Sequence, residues 1–307
     1  MASSNIHNFT KGSVLLHLKN KTKYFKIPKT YLFTVGEWLK NKEFIFKLIQ
    51  KQFKNTKFLA IRSSAINEDK KKFSQAGKYH TELFVNIKNK KKITNSINKV
   101  VSKYEKKKLK QNQIILQEMV LKPDISGVIF SREPNTNAPY YVINYDDVSG
   151  LTNTVTSGTS EFSNKSLNIY RNKFNYLRSP RFKKLIKSVR ELERIFNTDE
   201  LDIEFCIKNL KIYLLQVRPL TNLKIWNKQT DNLFLSSLRQ IEKKIKIKSK
   251  KIKGVLGNNN VFGQMPDWNP AEIIGLNPKP LAYSLYKKLI TDKSWAVARE
   301  KMDYKKP

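Results

Sequence analysis

The chain has 307 residues, of which 39% are hydrophobic and 28% charged, enough for one large or two medium domains with cores of their own. One cysteine excludes an intramolecular disulfide framework and a cysteine-rich metal site. The N-terminus shows no secretory signal pattern, and the chain has no apolar run of about 18 residues. We therefore expect a cytoplasmic protein without a membrane span.

The formal net charge of +35 is the unusual number. Most of the basic residues are lysines spread along the whole chain, which A/T-rich codon usage alone would produce. Nucleic-acid binding is the alternative, but no sequence signature of a nucleic-acid-binding fold accompanies the charge, so we do not expect such a partner. A third interpretation is the capture of small ligands that carry phosphate, which a positive field favours.

In chain order, short apolar or alternating runs bounded by turn residues predict strands. They lie at 30–35, 57–64, the end of 64–87, 113–120, 122–131, 139–147, 166–172 and in a hairpin at 201–221. Helical spacing predicts a helix from Gly36 that carries Trp38, Leu39 and Phe44, and a second at 92–110. A third helix is predicted after Ser179 as cap, with Pro180 in its first turn. The fold class expected from this mixture is α+β.

The character of the sequence changes after Thr221. Residues 222–260 are rich in lysine, and this composition predicts a linker or an exposed helix. Residues 261–307 are dense in Trp, Pro and Gly. We interpret 1–221 as one domain with two subdomains, and 261–307 as the start of a second, incomplete domain.

The hairpin "LDIEFCIKNLKIYLLQVRPLT" (201–221) carries polar residues at period-2 spacing, although acidic residues are scarce elsewhere. A solvated sheet face would also give this pattern. A chemical interpretation requires Glu204 and Gln216 to converge. A three-residue connection (209–211) would place Glu204 opposite Gln216 and Asp202 opposite Arg218. The face behind them would then hold the apolar residues Ile203, Phe205, Leu215 and Val217.

Several segments, in order, resemble one family. They are "TKGSVLLHL", "KIPKTYLFT", "FLAIRSSAINED", "FSQAGKYHTELFV", "IILQEMV", "SGVIFSREPNT", "VTSG" and "LDIEFCIKNLKIYLLQVRPLT". Over 10–221 the chain resembles the amino-terminal nucleotide-binding domain of phosphoenolpyruvate synthase and pyruvate phosphate dikinase, which has an ATP-grasp-like fold. "PYYVINYDDVSG" and "GQMPDWNPAEIIG" look closer to a branch linked to capsule biosynthesis, which includes a kinase of the glutamine side-chain amide.

The resemblance implies ATP and Mg²⁺ as cofactors and assigns candidate site residues. Arg62 and Arg218 would be catalytic, Arg62 by contacting phosphate oxygens and Arg218 by stabilising charge on the transferred phosphoryl group. Arg62, which ends an apolar strand, also suits phosphate binding on its own chemistry. Lys11 would bind phosphate, although Thr10 stands where relatives often have glycine. Glu204, Asp202 and Gln216 would hold the metal, and Gln216 would also lie beside the phosphates. Gln117, Glu118, Met119 and Val120 would form the hinge that meets adenine, and the loop Val155–Gly158 would lie near the phosphates.

Family members pass phosphate through a histidine in a Thr-Ser-His type motif, which this sequence does not contain. We therefore expect a phosphohistidine carrier domain or downstream subunit as a partner, with the final acceptor unknown. The leading interpretation is the ATP-binding domain of an ATP-dependent phosphotransferase, incomplete as an isolated chain. A degenerate, non-catalytic fragment and a basic nucleic-acid-associated protein are the alternatives.

Overall fold

The computed structural model describes residues 5–65, 80–105, 109–152, 165–221, 224, 226, 228–251, 253–254, 256–260 and 271–301. The chain divides into two compact units, Met1–Trp226 and Asn227–Pro307. The predicted boundaries at 221 and 260 stay predictions. The predicted phosphate-side loop Val155–Gly158 lies outside the described residues.

The first unit contains both strands and helices, with several strands following one another directly. The strands are β1 (Phe25–Lys26), β2 (Thr30–Thr34), β3 (Phe58–Ser64), β4 (Thr81–Asn86), β5 (Gln113–Glu118), β6 (Ile125–Phe130), β7 (Tyr140–Asp146), β8 (Lys165–Tyr170), β9 (Leu201–Lys208) and β10 (Lys211–Pro219). The α-helices are α1 (Lys11–Leu18), α2 (Val35–Lys40), α3 (Lys42–Gln52), α4 (Lys90–Ser102) and α5 (Pro180–Phe196). Short 3₁₀ helices occur at Ile6–Asn8, Leu109–Gln111 and Arg171–Tyr176. The predicted strands are confirmed, and so is the α+β class.

The strands form two sheets. The smaller has the order β2-β5-β3-β4 and is antiparallel throughout. The larger has the order β1-β10-β9-β6-β7-β8, in which only the short β1 runs parallel to its neighbour. The chain leaves the larger sheet after β1, builds the smaller one, and returns at β6. Residues distant in sequence therefore meet where the two sheets approach each other.

Each sheet has its own apolar core. One face of the smaller sheet packs against α2, α3 and α4 through residues such as Trp38, Ile49 and Ile97. The larger sheet packs against α1 and α5; Leu185, Val189 and Leu192 of α5 are fully buried, and Ile195 is partly buried against the same core. Each core covers one face of its sheet, and the polar residues lie on the other face.

The helix predicted from Gly36 is in fact two helices. Asn41 has φ −152° and ψ 82°, which no α-helix accommodates, and its side-chain oxygen accepts a hydrogen bond from Phe44 N–H as the cap of α3. The interruption turns Phe44 outward, where it is 55% exposed, and Trp38 alone of the three predicted apolar residues is buried.

The described part of the second unit is mostly helical, with an isolated antiparallel β-bridge between Lys250 and Asn259. It contains α6 (Lys228–Lys248), α7 (Ala271–Ile274), α8 (Pro280–Tyr286), a π-helical segment (Lys287–Trp295) and α9 (Ala296–Glu300). The basic stretch within 222–260 thus contributes much of its length to the helix α6. Among the described residues of the whole chain, no helix is both long enough and apolar enough to cross a membrane.

Candidate functional site

The β9–β10 hairpin holds the predicted polar pairs, but by a different route from the one predicted. Glu204 lies opposite Gln216 and Asp202 lies opposite Arg218. The connection, however, is a two-residue turn at Asn209 and Leu210, so the three-residue connection was wrong. The extra residue is a β-bulge between Leu214 and Gln216.

The bulge allows two arrangements that a regular hairpin could not combine. The apolar residues of β10 enter the core, and Gln216 faces the same side as Glu204. The tight turn pairs Ile212 with Ile207 and Leu214 with Phe205, so both β10 residues enter the core of the larger sheet. Without an extra residue, Gln216 would then face away from Glu204. One unpaired residue at Leu215 reverses the alternation and restores the polar face. Leu215 is buried. Contrary to the prediction, it lies outside the core cluster that contains Ile203, Phe205 and Val217.

The bulge also joins the two sheets. The Leu215 carbonyl accepts hydrogen bonds from Arg62 Nη1 at 3.3 Å and from Gln117 Nε2 at 3.4 Å. Arg62 lies on β3 and Gln117 on β5, so both donors come from the smaller sheet. Sequence analysis missed Leu215 as a site residue. The signal was the apolar pattern of β10, which changes parity between Leu214 and Val217.

Arg62 and Glu204 form the central contact of the site. Arg62 Nη2 donates to Glu204 Oε2 at 2.6 Å, and the two side chains are 14% and 17% exposed. Burial by itself raises the pKa of the Glu204 carboxyl. The charges of Arg62 and Lys11 outweigh that effect, so the pKa lies below its ordinary value. Glu204 is therefore held as a carboxylate at neutral pH.

Asp202 and Arg218 form the second pair on this face. Arg218 Nε donates to Asp202 Oδ2 at 2.8 Å, and Asp202 is buried. Burial raises the pKa of the Asp202 carboxyl, the Glu204 charge adds to the rise, and the pair with Arg218 only partly offsets both. Asp202 is thus placed to orient Arg218.

Gln216 brings an unsatisfied acceptor to the same face. It is 3% exposed, and its Oε1 has no hydrogen-bond partner among the residues that the structure describes. A buried orphan oxygen opposite a carboxylate fits a Mg²⁺ ion, which takes oxygen ligands. The described residues contain no cluster of three or more His, Cys, Asp or Glu side chains that could hold a metal by themselves. The donor set is therefore one that suits a metal shared with phosphate oxygens.

Lys11 is brought to the site by the start of α1. Thr10 caps that helix through a reciprocal pair of bonds with Ser13, and its hydroxyl also donates to Gln113 Oε1 at 2.6 Å. Gly12 N–H donates to Ser64 Oγ at 3.0 Å, and Ser64 lies two residues after Arg62 on β3. A Cβ on Gly12 would lie 2.4 Å from Leu32 Cδ1, so glycine permits this close approach. The Lys11 charge helps to lower the pKa of Glu204, and it offsets a small part of the rise in the pKa of Asp202.

The predicted hinge borders a cavity of about 370 Å³. Its lining residues are Pro28, Glu118, Met119, Val120, Leu121, Lys208, Asn209, Lys211 and Tyr213. Gln117 does not line it, because its amide turns to Leu215. The N–H groups of Glu118 and Met119 already donate to Lys29 O and Phe58 O in the smaller sheet. Tyr213 was missed from sequence, where it looked like an ordinary alternating residue.

Residues 42–169 match the family model of the pyruvate phosphate dikinase AMP/ATP-binding domain. The resemblance to that family is confirmed over this segment, which is less than half of the chain. The dikinase-type segment includes Arg62 and 117–120, whereas Lys11 and the hairpin lie outside it. With two sheets that each have their own core, the first unit has the α+β class and the two subdomains that were predicted. The match does not distinguish the branch that contains the glutamine amide kinase.

Among solved structures, the chain is similar to ligases. The D-alanine–D-alanine ligase of Helicobacter pylori shares 11% identity over 69% of this chain and 51% of the ligase, with a TM-score of 0.41. The D-alanyl-alanine synthetase A of Vibrio cholerae shares 9% over 70% and 56%, with a TM-score of 0.42. The chain thus spans about half the length of these enzymes, and the similarity is partial. No curated protein sequence matches the chain.

Proposed function

We propose that the chain binds Mg·ATP between its two sheets, as the nucleotide-binding part of an ATP-dependent phosphotransferase. The observation that carries the proposal is the convergence of Arg62 from one sheet with Glu204 and Gln216 from the other. The family of residues 42–169 supports ATP as the nucleotide. Positive groups for phosphate and oxygen ligands for a metal are what phosphoryl transfer needs, since it depends on positioning and charge stabilisation.

The cavity beside 118–120 is assigned to adenine. The sheet already uses the N–H groups of Glu118 and Met119, so we assign the N–H of Val120 to the adenine edge. Met119 and Tyr213 supply a polarisable and an aromatic surface for the base. Adenine bound there leaves the triphosphate to extend toward Arg62.

Three cations are assigned to the phosphates. The Arg62 guanidinium can chelate two phosphate oxygens, and Lys11 adds a second positive charge from the start of α1. Arg218, which Asp202 orients, is assigned to the transferred phosphoryl group. Glu204 and Gln216 are the metal ligands, and Asp202 supports them. Mg²⁺ bound there would neutralise phosphate charge.

The phosphoryl group would pass to a carrier histidine on another domain or subunit, in the cytoplasm. The support for this step is the family resemblance, and the final acceptor stays open. The competing proposal is a non-catalytic domain that binds nucleotide without transfer. Turnover separates the two: release of phosphate from Mg·ATP by the isolated chain, lost in Arg218→Met, favours catalysis. Mg·ATP binding without any such release favours the non-catalytic alternative.

Calorimetric titration tests nucleotide binding directly. The chain should bind ATP with Mg²⁺ more tightly than GTP with Mg²⁺. Glu204→Gln should weaken Mg-dependent binding about tenfold or more, since a lost charged contact is worth about 1.5–3 kcal/mol. Glu191→Gln is the matched control, because Glu191 accepts from Lys23 and Tyr24 N–H away from the site. Absence of any heat with Mg·ATP would refute the proposal.

A further inference from the structure

The two central side chains of the proposed site neutralise each other. Arg62 is assigned to phosphate and Glu204 to metal, yet they are joined at 2.6 Å and are both largely buried. Each would have to release the other before it could engage its own ligand fully. This contact is one of several that join the sheets, because Arg62 Nη1 and Gln117 also donate to Leu215 O.

On each side of this ion pair the structure leaves a polar atom unsatisfied. Gln216 Oε1, an acceptor, and Arg62 Nε, a donor, are buried and have no hydrogen-bond partner among the described residues. An orphan acceptor suits a cation, and an orphan donor suits an anion. The two orphans therefore indicate a site that is completed by one ligand of each sign.

We propose that the Arg62–Glu204 pair is an exchange latch that couples metal binding to nucleotide binding. The proposal rests on the proposed function and adds that the metal and the nucleotide bind cooperatively. A divalent cation that arrives alone meets a carboxylate already neutralised, with the guanidinium as a repelling neighbour. A metal-free triphosphate likewise meets a guanidinium already neutralised, with Glu204 repelling it.

When both ligands bind, each removes the electrostatic repulsion that the other would meet alone. Phosphate draws Arg62 away and frees Glu204 for the metal, while the metal neutralises Glu204 and frees Arg62 for phosphate. The coupling is a free energy and must be reciprocal, so the cation raises ATP affinity by the factor by which ATP raises cation affinity. Lys11 and Arg218 also act on Glu204 through their charges, so they supply a positive background that stays in place when Arg62 changes partner.

The latch predicts that removing a phosphate-binding arginine improves metal binding. In the absence of nucleotide, Arg62→Met should bind Mn²⁺, followed by electron paramagnetic resonance, about tenfold more tightly than wild type. Arg132→Met is the control, because Arg132 forms an arginine–carboxylate pair with Asp199 at 2.9 Å elsewhere. The control should leave Mn²⁺ affinity unchanged. Equal Mn²⁺ affinity of wild type and Arg62→Met would overturn the latch.

A second variant opens the latch from the other side and does not depend on the folding of the first. In EDTA, Glu204→Gln should bind ATP about tenfold more tightly than wild type, although it binds Mg·ATP less well. Unchanged or weaker metal-free ATP binding would also overturn the proposal. Failure of the proposed function looks different: wild type would then bind no ATP with Mn²⁺, whereas the nucleotide-free Mn²⁺ comparison would still decide the latch.

Discussion

Gln216 lies directly opposite Glu204 on the polar face of the larger sheet, where its Oε1 has no partner among the described residues. A buried acceptor left unsatisfied costs stability, so its presence at this position points to a role in binding. The β-bulge at Leu215 is what brings the two side chains to the same face. Stability and ligand binding should therefore respond to Gln216 in opposite directions.

Gln216→Leu is expected to separate these two properties. The ligand-free protein should be as stable as wild type or more stable by up to about 1 kcal/mol, because an unsatisfied amide oxygen is removed. Mg-dependent ATP affinity should fall about tenfold. Urea unfolding and calorimetric titration measure the two effects. Gln117→Leu is the control, since it removes a buried amide that does make a bond, and it should lower stability.

Much of this site can be predicted from the sequence. The strands follow from apolar runs, and the pairs Glu204–Gln216 and Asp202–Arg218 follow from the requirement that the polar residues converge. The bulge is also predictable from the alternation, because Ile212 and Leu214 are apolar at even positions and Val217 is apolar at an odd one. A three-residue connection is simply the way to align these pairs in a hairpin that has no bulge.

Other features depend on packing that no local pattern encodes. The pair between Arg62 and Glu204 joins residues 142 positions apart, and it depends on how two separate cores orient two sheets. The break at Asn41 is similar, because helical spacing continues through it while Trp38 is buried against the smaller sheet.

The hairpin turn offers a test that leaves the proposed ligands untouched. Leu210 is 67% exposed and has φ 60°, where a Cβ is strained by about 1–2 kcal/mol. Leu210→Gly, which creates the Asn-Gly pair favoured in such turns, should stabilise the protein by about 0.5–1 kcal/mol. Scanning calorimetry should show a higher Tm. Leu210→Ala keeps the Cβ and should give no gain, so equal effects of the two variants would count against the turn geometry.

Cys206 should report on opening of the larger sheet. It is fully buried on β9, and burial raises the pKa of its thiol to about 12. The thiolate fraction is then about a thousandfold lower than for an ordinary cysteine, and reagents cannot reach the sulfur. The native protein should not react with Ellman's reagent, whereas denaturant should release one thiol per chain. Rapid reaction in native buffer would contradict the burial of β9.

The acid dependence of stability should reveal the charge of Glu204. Its pKa is lowered in the folded state below the ordinary value of 4.5, so its carboxylate stabilises the fold above that pH. This contribution is lost as pH falls through the folded-state pKa. Asp202 has the opposite sign, because its raised pKa makes its ionisation unfavourable as pH rises past 3.8. A comparison with Glu204→Gln removes most of the Asp202 effect, since both proteins contain it.

The free energy of unfolding of wild type should therefore rise relative to that of Glu204→Gln as pH increases from 3 to 7. Urea unfolding at intervals of pH across that range measures the difference. Glu43→Gln serves as the control, because Glu43 pairs with Lys90 at 2.6 Å on an exposed surface, where ion pairs contribute little at any pH. A difference between wild type and Glu204→Gln that stays constant across the range would mean that Arg62 does not hold Glu204 as a carboxylate. The exchange of partners at the site would then have no ionic pair to act on.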